Sequence, residues 1–534
     1  MRFVVLCAAL AAFAVIAVTP AQAYNERPMR LPSTGRGAVA AASEPATWLV
    51  AAVPGSARAA AIARRFGASR LRVGAVYRVA TVRARAFAAA LRGAGALRYA
   101  EPNATLRRTS ALDAVPAGYA RGLVVEPGIS PPAPGAVSIA VIDDLVDTTH
   151  PDLAANTRQL NPGPVLGPHG TMVASAAAAS FNGFGVFGIF PGAPVVSIGL
   201  PLEITCADAA NGIIAAANAG AKIINLSFGS ADDCASLFGT VQVAYAKGSL
   251  VVAAAGNEFS SGNPVIYPAA YPHVLSVAAL DPNLAPSGFS SENTSVDVAA
   301  PGVNVPLAIP GAFDVDDGAA DGVTLGSGTS FAAPIVSGAA AWLATVRANL
   351  SNGQLADVLR HSARDVGPQG YDPATGFGLI QMGAALAAPT PAADVLEPND
   401  GISFIDGSVF SKPDPYVWRG VPSKRTIKGT ADRVEDPIDV YRIRLPRRAR
   451  ARIRLRPAFG NPDLFVFRGA AQSITDDANI IARSKKATKK VDSVTISNSG
   501  RTARRFYIAI PIGKDAAGSL NSSYRLEFQR IRLR

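Results

Sequence analysis

The sequence predicts an α/β protein: a doubly wound, mostly parallel sheet, preceded by a small ferredoxin-like α+β unit and followed by a β-sandwich. Three observations predict it. Residues 137–142, Val-Ser-Ile-Ala-Val-Ile, form an apolar, β-branched run, the pattern of a central parallel strand covered on both faces. From there strand-like and helix-like segments alternate to about residue 363, as parallel strands joined by crossover helices do. Beyond residue 396 the pattern changes to short strands of period two. With 534 residues, 49% of them apolar, the chain can bury a large core and is long for one domain.

The chain opens with Arg2, an apolar run over 3–18 and the small-residue pattern Ala21-Gln22-Ala23, which predicts a cleaved secretory signal over 1–23. That run is short for a bilayer span, and no later segment reads as long and apolar enough to cross one. Residues 24–46, rich in Pro, Gly, Ala and Ser, read as a flexible lead. Strands at 47–53, 76–82 and 97–100 with helices at 57–66 and 84–91 predict the ferredoxin-like unit within 47–109. After a loop marked by Pro127, Pro131, Pro132 and Pro134, the central strand ends at Asp143. Strands at 195–200, 222–228, 250–254 and 274–278 follow, with helices at 207–219, 241–247, 330–350 and 353–363. Together these make a body over 110–388, and residues 389–395 are a linker by composition. Period-two runs at 440–445, 451–455 and 524–528 predict the sandwich over 396–534.

The net charge of +12 is segregated. Residues 24–109 carry 15 Lys/Arg against 3 Asp/Glu, residues 110–389 carry 7 against 21, and residues 390–534 carry 28 against 15. Basic blocks flanking an acidic body predict association between the parts of the chain. Nucleic-acid binding is the less economical reading, because few aromatics interleave the basic residues and the chain is predicted to be exported. Cys7 leaves with the signal, so Cys206 and Cys234 predict one disulfide in an oxidising compartment.

Chemistry converges on Gly326-Ser327-Gly328-Thr329-Ser330, which leads into an apolar helix. A hydroxyl at a helix N-terminus sits where developing negative charge is stabilised, although an isolated serine there is more often a simple cap. To act as a nucleophile it needs a base and a group that orients the base. The chain holds four histidines, His150, His169, His273 and His361. His169 opens a helix of small residues, His150 and His361 read as structural, and His273 lies in a Pro-rich turn. Asp143, past the most buried strand, is the candidate orienting carboxylate, with Asp144 as the alternative. Asn257, after Ala-Ala-Ala-Gly256, could offer its amide to an oxyanion together with the Ser330 N–H.

These residues carry a resemblance to the subtilases. Val141-Ile142-Asp143 with Thr149-His150-Pro151-Asp152 resembles their aspartate motif, and His169-Gly170-Thr171-Met172-Val173-Ala174 their histidine motif. Gly328-Thr329-Ser330-Phe331-Ala332-Ala333-Pro334 resembles the serine motif, and Ala254-Ala255-Gly256-Asn257-Glu258 the oxyanion segment. The similarity runs over about 137–387. It departs where Asp144-Leu145 follow the aspartate, instead of a small residue and glycine, and where Met172 replaces a second histidine.

The resemblance implies a secreted bacterial serine endopeptidase, made as a self-processed zymogen and acting on protein or peptide substrates. Ser330 would be the nucleophile, His169 the base, Asp143 its orienter and Asn257 the oxyanion donor. Ser227, Phe228, Gly229 and Gly256 would bind the substrate main chain and wall its pocket. Ile266 would make that pocket shallow and suited to medium apolar side chains. Asp152 and Asn182 in the loop 180–186 resemble a calcium site, with an Asx turn as the alternative reading; no cofactor is required for the chemistry. Residues 24–109 resemble the folding-assisting, inhibitory propeptide, and residues 396–534 a bacterial pre-peptidase C-terminal domain. A monomer with no membrane span and no nucleic-acid partner is expected. The rival reading is a non-catalytic secreted binding protein with a subtilase-like body and a basic, surface-attaching β-domain; Leu145 is its one support.

Overall fold

A computed structural model describes residues 46–72, 75–108, 119–315, 319–391, 396–408, 410, 413–432, 436–486, 490–512 and 521–531. The predicted signal, all but the last residue of the lead, the predicted boundary at 109 and most of the linker lie outside the described residues.

Seven parallel strands form the central sheet. Their order is Val298–Pro301, Val274–Leu280, Leu250–Ala254, Ile223–Leu226, Ile139–Asp143, Val195–Gly199 and Thr157–Gln159. The apolar run read from the sequence is the strand Ile139–Asp143, buried at all five positions. Its alternate residues feed two cores. Ile139 and Val141 pack with the helices His169–Ala178 and Thr329–Val346, while Ala140 and Ile142 pack with Cys206–Asn218 and Ala235–Ala246. Fully burying such a side chain contributes roughly 1.5–3 kcal/mol, so a strand apolar at every position needs helices on both sides. The chain leaves Ile139–Asp143 toward one edge and later returns on the other side of it, at Ile223–Leu226. The carboxyl ends of those two strands therefore flank the crevice where such sheets take ligands. Contrary to the sequence expectation, one described helix, Thr329–Val346, is long and apolar enough to cross a membrane; it is the buried core helix of this body.

The N-terminal unit is a four-stranded antiparallel sheet in the order Ser69–Arg70, Val76–Ala80, Thr47–Ala52, Leu97–Pro102, with helices Ala57–Phe66 and Thr81–Gly93. Leu49, Ala51 and Val76 on the other face of the sheet join Ile213, Ile214 and Leu237 of the body in one core. Polar contacts finish the contact. Asn103 Oδ1 accepts the Ala207 N–H (3.0 Å), and the Glu101 carboxylate accepts those of Ala235 and Ser236 (2.9 Å to Ser236). Two helices of the body are thus capped by residues of the N-terminal unit. The helix expected at 241–247 begins at Ala235, because its cap comes from Glu101 rather than from a neighbour in sequence. The predicted disulfide is present: Cys206 and Cys234 (Cα–Cα 6.4 Å) tie the same two helix N-termini together.

From the N-terminal unit the chain continues as strand Thr105–Arg108. It runs antiparallel between Phe228–Gly229 and Ile204–Thr205 of the body.

The C-terminal segment is a sandwich of two four-stranded antiparallel sheets. Ile402, Phe404 and Ile405 cover the outer side of one sheet, and Phe404 meets Phe238 of the body edge-on at 5.5 Å. Beside them His273 of the body, buried and stacked on Tyr245, bonds Asp400 (3.1 Å) and Glu397 (3.4 Å). Burial alone would lower the His273 pKa, but the two carboxylates overcome it and raise it to about 10. The ionic link therefore has the opposite polarity to that expected from the charge blocks. The acidic body contributes the cation and the basic domain the anions.

Candidate active site

Asp143 ends the central strand and is fully buried. Its two oxygens lie 3.0 and 2.9 Å from Nδ1 of His169, the first residue of the helix His169–Ala178. A carboxylate on Nδ1 keeps the proton there and leaves Nε2 as the acceptor. Asp144, the alternative orienter, does something else. Its Oδ1 accepts the Gly170 N–H at 2.5 Å and so caps the histidine helix. A Cβ on Gly170 would fall 2.1 Å from the Asp144 carbonyl oxygen, so only glycine lets this helix start against the strand end. Leu145 does not displace Asp143. A Cβ on Gly199 would sit 2.5 Å from Leu145 Cγ, so the bare backbone of the neighbouring strand makes room for that side chain.

Ser330 is the second residue of the core helix and is fully buried. Its hydroxyl donates to the Ser227 carbonyl at 3.0 Å, and the Ser227 hydroxyl donates back to the Ser330 carbonyl at 2.7 Å. His169 Nε2 has no hydrogen-bond partner and is buried, while the His169 ring packs 5.5 Å from that of Phe331. The imidazole is thus brought beside the serine turn without a Ser330–His169 hydrogen bond. Apo sites often close such bonds only when substrate arrives.

Asn257 completes the group. Its Oδ1 accepts both the N–H (3.0 Å) and the hydroxyl (2.8 Å) of Thr329, which leaves the amide NH₂ end for another acceptor. Asn225 Nδ2 donates to the Ser227 hydroxyl (2.9 Å), and Ser337 donates to Asn225 Oδ1 (2.9 Å). Asn225 opens the edge 225–229 that the resemblance assigns to substrate pairing, whereas Thr329 and Ser337 are not among the site residues expected from sequence. The signal for them was a run of buried polar residues on an otherwise apolar helix and strand, which need partners. His150 is held by the Gly322 carbonyl (3.0 Å) and His361 lies edge-on to Phe377, away from the serine turn.

The chain matches the Subtilase family over residues 135–378. It is 36% identical over 265 residues to subtilisin from Bacillus pumilus, covering 90% of that protein and 47% of its own length. The chain belongs to the subtilase family. It is 34% identical over 294 residues to fervidolysin from Fervidobacterium pennivorans, spanning 49% of itself and 42% of that relative, and it spans 65% of subtilisin E from Bacillus subtilis. In structure it resembles crystalline fervidolysin, a keratinolytic enzyme related to subtilisin, with a TM-score of 0.56 over 85% of each chain at 20% identity.

In this subtilase the edge Phe228–Gly229 already holds a strand, its own Thr105–Arg108, with Gly229 opposite Arg107 and Phe228 opposite Arg108. Ile266 is buried between two glycines: Cβ atoms on Gly229 and Gly256 would fall 2.4 and 2.5 Å from its side chain. Gly256 has φ +110°, so it needs glycine twice over. At the residues expected to hold calcium, Asp152 Oδ2 accepts the Val186 N–H (2.9 Å), and its buried Oδ1 has no partner. Asn182 Oδ1 accepts the Phe184 N–H at 2.9 Å, an Asx turn. Among the described residues, further donor groups converge at His273, Glu397 and Asp400 and at Glu397, Asp436 and Asp439.

Proposed function

We propose that this subtilase is an exported bacterial serine endopeptidase, made as a zymogen that processes itself, with protein or peptide substrates. The pairing of His169 with Asp143 beside the Ser330 hydroxyl carries the reading. An extended peptide adds as a strand to Ser227–Gly229, as Thr105–Arg108 does. Its scissile carbonyl meets Ser330, whose hydroxyl turns from the Ser227 carbonyl to His169 Nε2. The imidazole takes the proton, Ser330 Oγ bonds to the carbonyl carbon, and Asp143 stabilises the imidazolium. The oxyanion is bound by the Asn257 amide and the Ser330 N–H, at a helix N-terminus. His169 then gives its proton to the leaving amine, and water releases the acyl group by the same route reversed.

Residues 24–109 would be the propeptide, 110–388 the peptidase domain and 396–534 the C-terminal domain. The propeptide reading is supported by the caps from Glu101 and Asn103 and by a strand lying along the substrate edge. Asp152 and Asn182 would hold a structural calcium ion. The buried, partnerless Asp152 Oδ1 fits a hard cation, which would stiffen the loop and take no part in the chemistry. Leu145, the support for a non-catalytic reading, is accommodated by Gly199.

The test is labelling of the secreted protein with a serine-directed phosphonate. A single adduct on Ser330 is expected in the peptide map, together with hydrolysis of peptide substrates. No adduct, or an adduct on another serine, would end the reading. The pocket adds a second expectation. With Ile266 filling the space between Gly229 and Gly256, small side chains should be preferred before the cut bond, smaller than the medium ones expected from sequence. Ile266→Gly should raise kcat/KM for a phenylalanine over an alanine substrate by roughly 10–200-fold, the range a pocket methylene or two can supply.

A further inference from the structure

Many basic residues of the C-terminal domain stand on the side of the sandwich turned away from the acidic body. The sheet in the order Lys424–Asp432, Asn521–Ile531, Ala449–Phe459, Asp492–Asn498 lies on the far side of the sandwich from Phe404 and Phe238. Over residues 449–456, 492–498 and 522–529 its strands alternate between buried and outward side chains. Ala449, Ala451, Ile453 and Leu455 are buried, so Arg450, Arg452, Arg454 and Arg456 form a row on the solvent face. Tyr524, Leu526 and Phe528 are buried on the neighbouring strand, which turns Arg525, Glu527 and Gln529 outward. Lys424 and Lys428 stand on the next strand, opposite Gln529 and Arg525.

Among the described side chains this face carries seven cations and one carboxylate, a net +6, and Glu527 is already paired with Arg456 at 2.6 Å. The register sets Lys428, Arg525 and Arg456 side by side across three strands. Like charges placed directly opposite destabilise a sheet unless a counter-charge covers them. Along Ala449–Phe459 the cations recur about every 6.6–6.8 Å, and Arg525 and Lys428 continue the patch onto the next two strands at about 4.8 Å spacing.

We propose that this face docks a linear polyuronate, a polysaccharide with a carboxylate on each sugar, and so holds the protein on an acidic matrix. Charge complementarity argues for a polyanion. The planar guanidinium fork matches carboxylates in a bidentate manner, and the outward residues between the cations, Ser493, Thr495, Ser497 and Gln529, suit sugar hydroxyls. Strand-like nucleic-acid readers interleave aromatics for base stacking, whereas the outward alternation here holds none before Phe459 at the strand's end.

The experiment is affinity chromatography of the full chain on immobilised polygalacturonate, with uncharged dextran as the blank. Retention at about 0.15 M salt is expected, where surface charges act over roughly 8 Å. The triple variant R450Q/R452Q/R454Q should bind at least about tenfold more weakly, with a log–log salt slope shallower by about three, one per cation removed. R501Q/R504Q/R505Q, outside this face, should keep wild-type retention, and peptide hydrolysis and Tm should match wild type in both. Should the face triple fail to fold, R450Q alone should lower the slope by about one. The proposal falls if the wild type passes through, if both triples lose retention equally, or if duplex DNA or dextran sulfate displaces polygalacturonate at equal charge while the reverse fails.

Discussion

Replacing Ser330 with alanine is expected to abolish peptide hydrolysis and to leave residues 24–109 joined to the body. Loss of the nucleophile removes the covalent route, and the expected fall in kcat/KM is about 10⁴-fold or more, roughly 5.5 kcal/mol of transition-state stabilisation. The fold should survive. The Ser227 hydroxyl is held by the backbone carbonyl of residue 330, which alanine keeps, and the loss is one hydrogen bond to the Ser227 carbonyl, about 1 kcal/mol. An unchanged circular dichroism spectrum with a band heavier by the uncut segment would separate lost chemistry from misfolding. In the wild type the new N-terminus is expected within 109–118. Arg108 is still paired with Phe228 of the substrate edge, and the Tyr119 hydroxyl is bonded to the Val303 carbonyl of the body. Mass spectrometry of the secreted product reads this directly. Normal turnover or normal processing by Ser330→Ala would remove the mechanism.

Much of this site was legible because its residues obey local rules. Asp143 closes an apolar strand, His169 and Ser330 open helices, and Asn257 follows a strand, so each could be placed at the active end of the sheet one by one. What escaped was set by partners far away in sequence. The helix Ala235–Ala246 has no cap of its own, and the residue that supplies one, Glu101, is 134 positions upstream. Thr105–Arg108 is four residues with two arginines, and only its two partners in the body, Phe228–Gly229 and Ile204–Thr205, make it a strand. Leu145 looked disruptive beside Asp143, yet Gly199 on the next strand decides that it fits. Charge was the least reliable guide. The balance of each block was visible, but not that the arginine row at 450–456 lies on the far side of the sandwich while His273 supplies a cation of the contact.

Replacing Asn257 with alanine is expected to lower kcat by roughly 10²–10³-fold, about 2.7–4 kcal/mol, the worth of one oxyanion donor, with KM little changed. The split follows from when the charge appears: a ground-state carbonyl asks little of the donor, whereas the tetrahedral oxyanion asks for all of it. Both lone-pair directions of Asn257 Oδ1 are occupied by Thr329, so the amide cannot turn its oxygen toward the substrate without giving up those two bonds. Asn257→Asp keeps the shape but has no proton to donate and places a negative charge beside the oxyanion, so its kcat should fall below that of alanine. Thr329→Val tests the restraint itself. It keeps the backbone N–H bond but removes both bonds of the hydroxyl, the one donated to Asn257 and the one accepted from the Gly256 N–H (3.3 Å), and it should lower kcat by less than Asn257→Ala while KM holds. Because Thr329 also opens the helix that carries Ser330, one turn of backbone sets both nucleophile and donor. A loss that fell on KM instead of kcat in the Asn257 variants would mean that this amide binds substrate and not the transition state.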